Sequence, residues 1–190
     1  MAIGSLIEEM GPEFVRYMAN FELFLNQALQ AYHERQLFAV SVGVVSDLSR
    51  AFSENFSLYA DGYMNLLLHG LQSEILDRTT KPKIISTFAD IALALGPMFD
   101  KYLQVVMAVL SQAEQLQPLD DSLEEVEYVD QLYSSILETY TCIVQGLKDS
   151  AEARQHLIPF GEGLVRFVQK VSPSAEYNDY LARTSISLLG

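Results

Sequence analysis

A single cysteine, Cys142, and no tryptophan occur in 190 residues. One cysteine excludes an intrachain disulfide framework and any Cys-rich zinc site. It lies in an apolar helical run, Tyr140 to Leu147, and reads as a small core residue. Glycine and proline are scarce, ten and six, while 49% of the residues are hydrophobic; that balance argues against disorder. No apolar run reaches the roughly 18 residues that span a bilayer. The longest candidate, Tyr102 to Leu110, is interrupted by Gln104, so no membrane insertion is expected. The opening Met-Ala-Ile-Gly-Ser lacks the basic region of a signal peptide, and a soluble intracellular protein is the expectation. Basic residues are also few, 12 against 25 acidic, for a formal net charge of −13. With no Lys/Arg cluster to neutralise phosphates, nucleic acid is excluded as a partner. The acidic excess either serves solubility alone or favours basic partners and speeds their encounter.

Catalytic chemistry is missing too. His33, His69 and His156 stand far apart, in no metal-ligand spacing. There is no glycine-rich phosphate loop and no G-x-S-x-G. Neighbouring carboxylates such as Glu8-Glu9 read as a solvated helix face. No catalytic residue, metal ligand or cofactor is assigned, and an enzyme is not expected.

What is present is a repeat. Phe14, Tyr17, Phe21 and Leu25 recur 42 residues later as Phe56, Tyr59, Tyr63 and Leu67, and 43 further on as Phe99, Tyr102, Val106 and Leu110. A further shift of 58 gives Leu157, Phe160, Leu164 and Val168. Spacings of 3, 4 and 4 form the apolar stripe of a helix. The preceding element repeats as well: Leu6, Leu48 and Ile91 share a column, as do Met10, Phe52 and Leu95. Between the two helices stand Gly11-Pro12 and Gly96-Pro97, with Ser53-Glu54 in the middle copy. Glycine suits a helix end and proline the first turn of the next helix. Each unit is therefore helix A, a tight turn and helix B. Periods of 42 and 43 match the HEAT class and not the 34 of tetratricopeptide or the 33 of ankyrin repeats.

The fold class expected is all-α, an α-α superhelix of HEAT type, as a single array over 1–190 with about four A/B pairs plus a partial fifth. The repeats fall near 2–31, 34–73, 82–115, 124–171 and 174–190. Helix A1 spans about 2–10 and B1 13–31, A2 34–52 and B2 55–73, A3 82–95 and B3 98–115, A4 124–148 and B4 152–171, with a fifth A helix from Ser174. A2 is apolar on several sides, with Leu37, Phe38, Val40, Val42, Val44, Val45 and Leu48, as a helix sandwiched between neighbours requires. The stripe residues Phe14, Tyr17, Phe56, Tyr59, Phe99 and Tyr102 are expected in the core. Polar capping repeats are not visible at either end, so the expectation is a piece of a longer array, with Met1 an added start.

Between Ala113 and Tyr140 stand eight acids and no Lys or Arg: Glu114, Asp120, Asp121, Glu124, Glu125, Glu127, Asp130 and Glu138. They either favour the start of A4 through the helix dipole or form a landing site for a basic peptide or protein face. Grooves between adjacent A helices can leave shallow apolar pockets for a partner's side chains. The candidate is the A2/A3 groove, lined by Leu37, Val44, Ile84 and Phe88.

Three stretches carry a family resemblance: Lys81 to Gly96 (KPKIISTFADIALALG), Tyr140 to Lys148 (YTCIVQGLK) and Val42 to Ala51 (VGVVSDLSRA). They resemble importin-β nuclear transport receptors, in their C-terminal half, and the resemblance runs from about residue 2 to the end, weakest after Asp149. Asp47 and Asp90 share a column that typically carries Asp in HEAT repeats. The resemblance implies a carrier of the cytoplasm, nucleus and nuclear pore or envelope. Such receptors wrap the basic importin-α segment, or basic cargo, with B helices. They bind phenylalanine-glycine nucleoporins between A helices and release cargo to Ran-GTP, here mainly through regions outside this chain. Glu22, Asp61, Asp120, Asp121, Glu124 and Glu125 are the candidates for the basic segment. Leu37, Val44, Ile84 and Phe88 are those for nucleoporin repeats. The rival expectation is a HEAT-repeat scaffold subunit of a multiprotein complex.

Overall fold

The computed structural model describes residues 2–175, with side chains as far as 171. Nine α-helices occur among them: α1 (Ala2–Met10), α2 (Met18–Ala28), α3 (Arg35–Phe52), α4 (Ser57–Gln72), α5 (Lys81–Leu95), α6 (Asp100–Ala113), α7 (Leu123–Leu147), α8 (Ala151–Leu157) and α9 (Gly161–Ala175). No strand is present among the described residues. The helices α1, α3, α5 and α7 are the expected A elements, and their ends lie within one residue of the sequence reading.

Every B helix opens with a 3-10 segment: Gly11–Tyr17 before α2, Ser53–Phe56 before α4, Gly96–Phe99 before α6 and Ile158–Phe160 before α9. In three of the four, the A helix is ended by a residue of positive φ: Gly11 (52°), Ser53 (49°) and Gly96 (54°). That backbone is open to glycine because it has no Cβ. After Gly11 and Gly96, proline then fixes φ at the head of the next helix, where its missing N–H costs nothing.

Two compact units divide the chain, Met1–Leu95 and Gly96–Gly190. The boundary falls at the Gly96 turn, inside the expected third repeat rather than between repeats. In the first unit α3 packs between α1 and α5. Phe38, Val42, Val45 and Leu48 are fully buried there, the all-round burial expected of a sandwiched helix. Hydroxyls fill the seam as well. Ser46 Oγ donates to Thr87 Oγ1 at 3.1 Å, and Thr87 Oγ1 donates to the Lys83 carbonyl at 2.9 Å.

In the second unit the 25-residue α7 packs against α6, α8 and α9. Phe167 of α9 meets Tyr133 and Tyr140 edge-on, at 5.4 and 6.1 Å between ring centroids. Tyr133 donates its hydroxyl to the Leu116 carbonyl at 2.7 Å, tying down the loop before α7.

The stripe departs from expectation at one column. Phe14, Phe56 and Phe99 are buried, and so is Tyr102, but Tyr17 is 47% exposed and Tyr59 half-buried. The column buried in all three copies is one residue further on: Met18, Ala60 and Leu103. A stripe four residues wide admits either column, and the 3-10 opening changes the phase at this point.

The fourth copy is also out of register. Its 3-10 turn ends at Phe160, where the others end at or include Phe14, Phe56 and Phe99, so the step is 61 and not 58. With that step the four columns fall on Phe160, Gly163, Phe167 and Val171, of which Phe167 and Val171 are at 2% exposure or less; Phe167 takes the column of half-buried Leu164. B4 is consequently not one helix over 152–171 but α8, the Pro159-bearing turn and α9. Since α9 continues through Ala175, a fifth A helix does not start at Ser174; its remainder lies outside the described residues.

Residues Arg78–Ala113 form a helical run with an 18-residue window of mean hydropathy 1.3, longer than the sequence reading allowed. The Gly96 turn divides it into α5 of 15 residues and α6 of 14, each short of the about 20 a bilayer core needs.

Candidate functional site

The first unit carries a groove of about 350 Å³ along its A helices, among α1, α3 and α5. Ile3, Val40 and Val44 supply apolar wall, while Asp47, Lys83 and Thr87 supply polar atoms. Glycine lets the helices approach here. A Cβ on Gly4 would collide with the Asp47 carboxylate, and one on Gly43 would lie 3.2 Å from Lys83 Nζ.

Arg50 closes one side of this groove and links all three helices. Its guanidinium donates to Asp47 Oδ1 at 2.6 Å and to Asp90 Oδ2 at 3.1 Å, and it lies 4.0 Å from Glu8 Oε1. The shared Asp47/Asp90 column is thus a ladder of carboxylates bridged by one arginine. Periodicity showed the two aspartates, but the arginine between them became visible only in the structure. With Arg50 half-exposed, each such pair adds at most about 1 kcal/mol. The ladder orients the helices more than it stabilises them.

Of the four groove candidates, only Leu37 is exposed, at 48%. Val44 is 5% exposed, and Ile84 and Phe88 are fully buried. They form the α3–α5 seam, with Val44 alone reaching the groove wall. The helical period was right. The side chains that face a neighbour in a sandwich are, however, used by that neighbour.

The acidic candidates separate in a similar way. Asp61, Asp120, Asp121 and Glu124 are exposed. Glu125 is only 7% exposed, which removes it from any contact surface. Its Oε2 accepts the Leu119 N–H at 3.3 Å, and its own N–H is capped by Ser122 Oγ at 3.4 Å. Asp120 Oδ1 accepts the Ser122 N–H at 2.9 Å. Ser122-Leu123-Glu124-Glu125 is a capping-box sequence, a signal present in the chain before its structure. Glu22 is half-buried. It stands in the column that Met64 and Met107 occupy in the next copies, so its carboxylate faces inward. There it adds to the burial that pushes the Tyr63 hydroxyl well above its usual range. The Tyr63 hydroxyl is buried without a hydrogen-bond partner.

Sequence reasoning did not find a second cluster, in the second unit. Tyr140 donates its hydroxyl to Glu114 Oε1, and the Lys170 ammonium donates to the Glu114 carbonyl. Lys170 also lies 4.8 Å from the Tyr133 ring centroid. Glu114 is 9% exposed. Burial pushes its carboxyl above the ordinary range, while Tyr140 and Lys170 pull the other way. Its place among eight acids hid it, because a linear charge run does not show which member turns inward. Among the described residues, no group of three or more His, Cys, Asp or Glu is placed to hold a metal ion.

Paired helices at 42- and 43-residue spacing, stacked through an arginine-bridged carboxylate ladder, define a HEAT-type helical-repeat protein. The family model that matches, over residues 1–190, is described as Importin subunit beta-1-like, TPR repeats. This chain belongs to that importin subunit beta-1-like family; its own repeat spacing is the longer HEAT one. Importin subunit beta-1 of Arabidopsis thaliana is 41% identical over 194 residues, covering all of this chain and 22% of that protein. That of Schizosaccharomyces pombe is 37% identical, with the same coverage. A crystal structure of importin beta matches with a TM-score of 0.92 at 34% identity, over 98% of this chain and 22% of that one. A Kap95:Nup1 complex and a structure of Kap95p with RanGDP each match with a TM-score of 0.90 at 29% identity, with the same coverage. The chain thus spans about a fifth of the length of the relatives it matches.

Proposed function

We propose that this chain is a docking segment of a nuclear import receptor that works in the cytoplasm, nucleus and nuclear pore as a carrier, not an enzyme. The observation that carries the proposal is the groove among α1, α3 and α5, on a fold shared with a Kap95 that has been solved with Nup1. Its volume of about 350 Å³ takes one large apolar side chain with its backbone. A phenylalanine ring fits against Ile3, Val40 and Val44, with the Lys83 ammonium at the rim. This refines the expected A2/A3 groove: of its four candidates Val44 lines the wall, while Leu37, Ile84 and Phe88 lie outside the lining.

The same proposal assigns the exposed acids Asp61, Asp120, Asp121 and Glu124 to the attraction of a basic importin-α segment or basic cargo. Glu22 and Glu125 contribute field and fold rather than contact. Ran-GTP acts on the receptor mainly through regions outside this chain.

Binding to a phenylalanine-glycine repeat peptide is the test. Nuclear magnetic resonance titration is expected to shift residues around Val40, Gly43 and Lys83, and Gly43→Leu is expected to abolish those shifts by filling the groove. Absence of any shift there would remove the nucleoporin site and favour the scaffold alternative. For the basic partner, changing Asp120 and Asp121 to Asn and Glu124 to Gln should weaken binding and its salt dependence together.

A further inference from the structure

The second unit holds a cavity of about 200 Å³ between α6 and the Phe160 turn that leads into α9, with Tyr140 of α7 behind it. Its deep end is polar. Glu114 and Tyr140, 9% and 2% exposed, both line it. Its sides are apolar, from Met107, Phe160 and Leu164, and Ser111 lies at the exposed rim. Gly163 also lines it, and a Cβ there would meet nothing within 4 Å. The absence of a side chain at Gly163 therefore leaves the cavity open.

We propose that this cavity is a subsite for a single lysine side chain of a partner's basic segment, its ammonium seated on the Glu114 carboxylate. It rests on the reading of the acidic chain as a docking surface for basic segments, and adds to that surface one inserted contact. Four features select the occupant. The cavity is smaller than the 300 Å³ or more of drug-sized pockets, so it takes a residue and not a cofactor. An apolar shaft ending in a buried carboxylate matches a methylene stem tipped by a cation. An ionised carboxylate has about four acceptor positions, and here Oε1 takes the Tyr140 hydroxyl while the Lys170 ammonium is held by the backbone carbonyl. With Oε1 occupied, a two-pronged guanidinium loses its second prong, whereas an ammonium can share Oε2 with the Ser111 hydroxyl. The net charge of −13 draws the segment in.

The test is fluorescence anisotropy on the whole 190-residue chain. The probes are a labelled oligolysine peptide, its fully Nε-acetylated form and an oligoarginine of equal length. Glu114→Gln and Gly163→Leu are each expected to weaken oligolysine binding by about tenfold, the loss of one charge-assisted bond. The circular dichroism spectrum should stay that of the parent. Gly163 is exposed and helical, so leucine there fills the cavity without straining the fold. Acetylation should abolish binding. If Asp121→Asn with Glu124→Gln weakens oligolysine binding while Gly163→Leu and Glu114→Gln leave it unchanged, the subsite is overturned and the broader docking surface stands. If none of these variants changes affinity, both fall. Oligoarginine binding as tightly, with equal sensitivity to Gly163→Leu, would overturn the choice of lysine.

Discussion

Ser53 occupies a backbone position that the chain elsewhere gives to glycine. Its φ of 49° and ψ of −131° lie in a region that a Cβ makes costly, by about 1–3 kcal/mol. Gly11 and Gly96 hold the matching φ of 52° and 54° without that cost. Replacing Ser53 by glycine should relieve the strain and give back about 0.5–1 kcal/mol through the freer unfolded chain. Little else changes: the Ser53 hydroxyl reaches only the Arg50 carbonyl, at a long 3.5 Å, and the cap from its N–H to the Ser49 carbonyl remains. The net gain is about 1 kcal/mol, a rise of about 2–4 °C in Tm for a chain of this size. Thermal and urea unfolding of Ser53→Gly, followed by circular dichroism, measure it. Gly11→Ala is the opposite control, since nothing lies within 4 Å of a Cβ there and any loss is conformational. A Ser53→Gly variant no more stable than the parent, beside a Gly11→Ala variant no less stable, would refute the reasoning.

Three further outcomes are expected. Phe99→Ala, which empties a fully buried site, should cost about 3–5 kcal/mol and raise hydrogen exchange chiefly within 96–175. Tyr17→Ala, on a 47% exposed side chain, should cost under about 1 kcal/mol; a reversal of that order would mean the burial is wrongly assigned. The third concerns pH. Burial holds the Glu114 carboxyl above its ordinary 4.5. A carboxyl raised in the folded chain favours folding at low pH and costs stability as pH rises through its folded value. Parent stability should therefore fall relative to Glu114→Gln above pH 4.5, and parallel pH profiles would contradict it. Asp77 has the reverse sign: hydrogen bonds from Thr79 lower it below 3.8, so its contribution disappears on acidification, and Asp77→Asn should flatten that acid limb in urea unfolding.

The A helices were legible almost to the residue because apolar columns run along them and a turn signal, Gly-Pro after α1 and α5 and Ser-Glu after α3, marks where three of them end. The B helices were legible as elements but not in phase. A period of 3.6 says nothing about a 3-10 opening, so Tyr17 was placed inside and Met18 overlooked. The fourth register failed for a related reason: Leu157 and Phe160 are both apolar, and only the Pro159 turn distinguishes the two alignments. At the candidate sites several of the expected individuals are buried. Val44, Ile84 and Phe88 face a neighbour, and a sandwiched helix spends such residues on stacking. Glu125 satisfies a loop N–H, as the serine three residues before it indicated. Glu114 and its partner Lys170 are 56 residues apart, beyond any local pattern.

The 3-10 openings also work as an indexing device. Such a segment turns about 20° more per residue and rises about 0.5 Å more than α-helix. Four residues of it re-clock the following helix by about 80° and advance it by about 2 Å. One residue added there would swing the whole apolar face of α2, α4 or α6 by roughly a third of a revolution. The four openings are 7, 4, 4 and 3 residues long, so the B helices do not all leave their turns at one phase. The step that grows from 43 to 61 residues places its surplus in α7, 25 residues against 15 in α5, and in the 148–157 segment that carries α8, leaving the Phe160 turn compact.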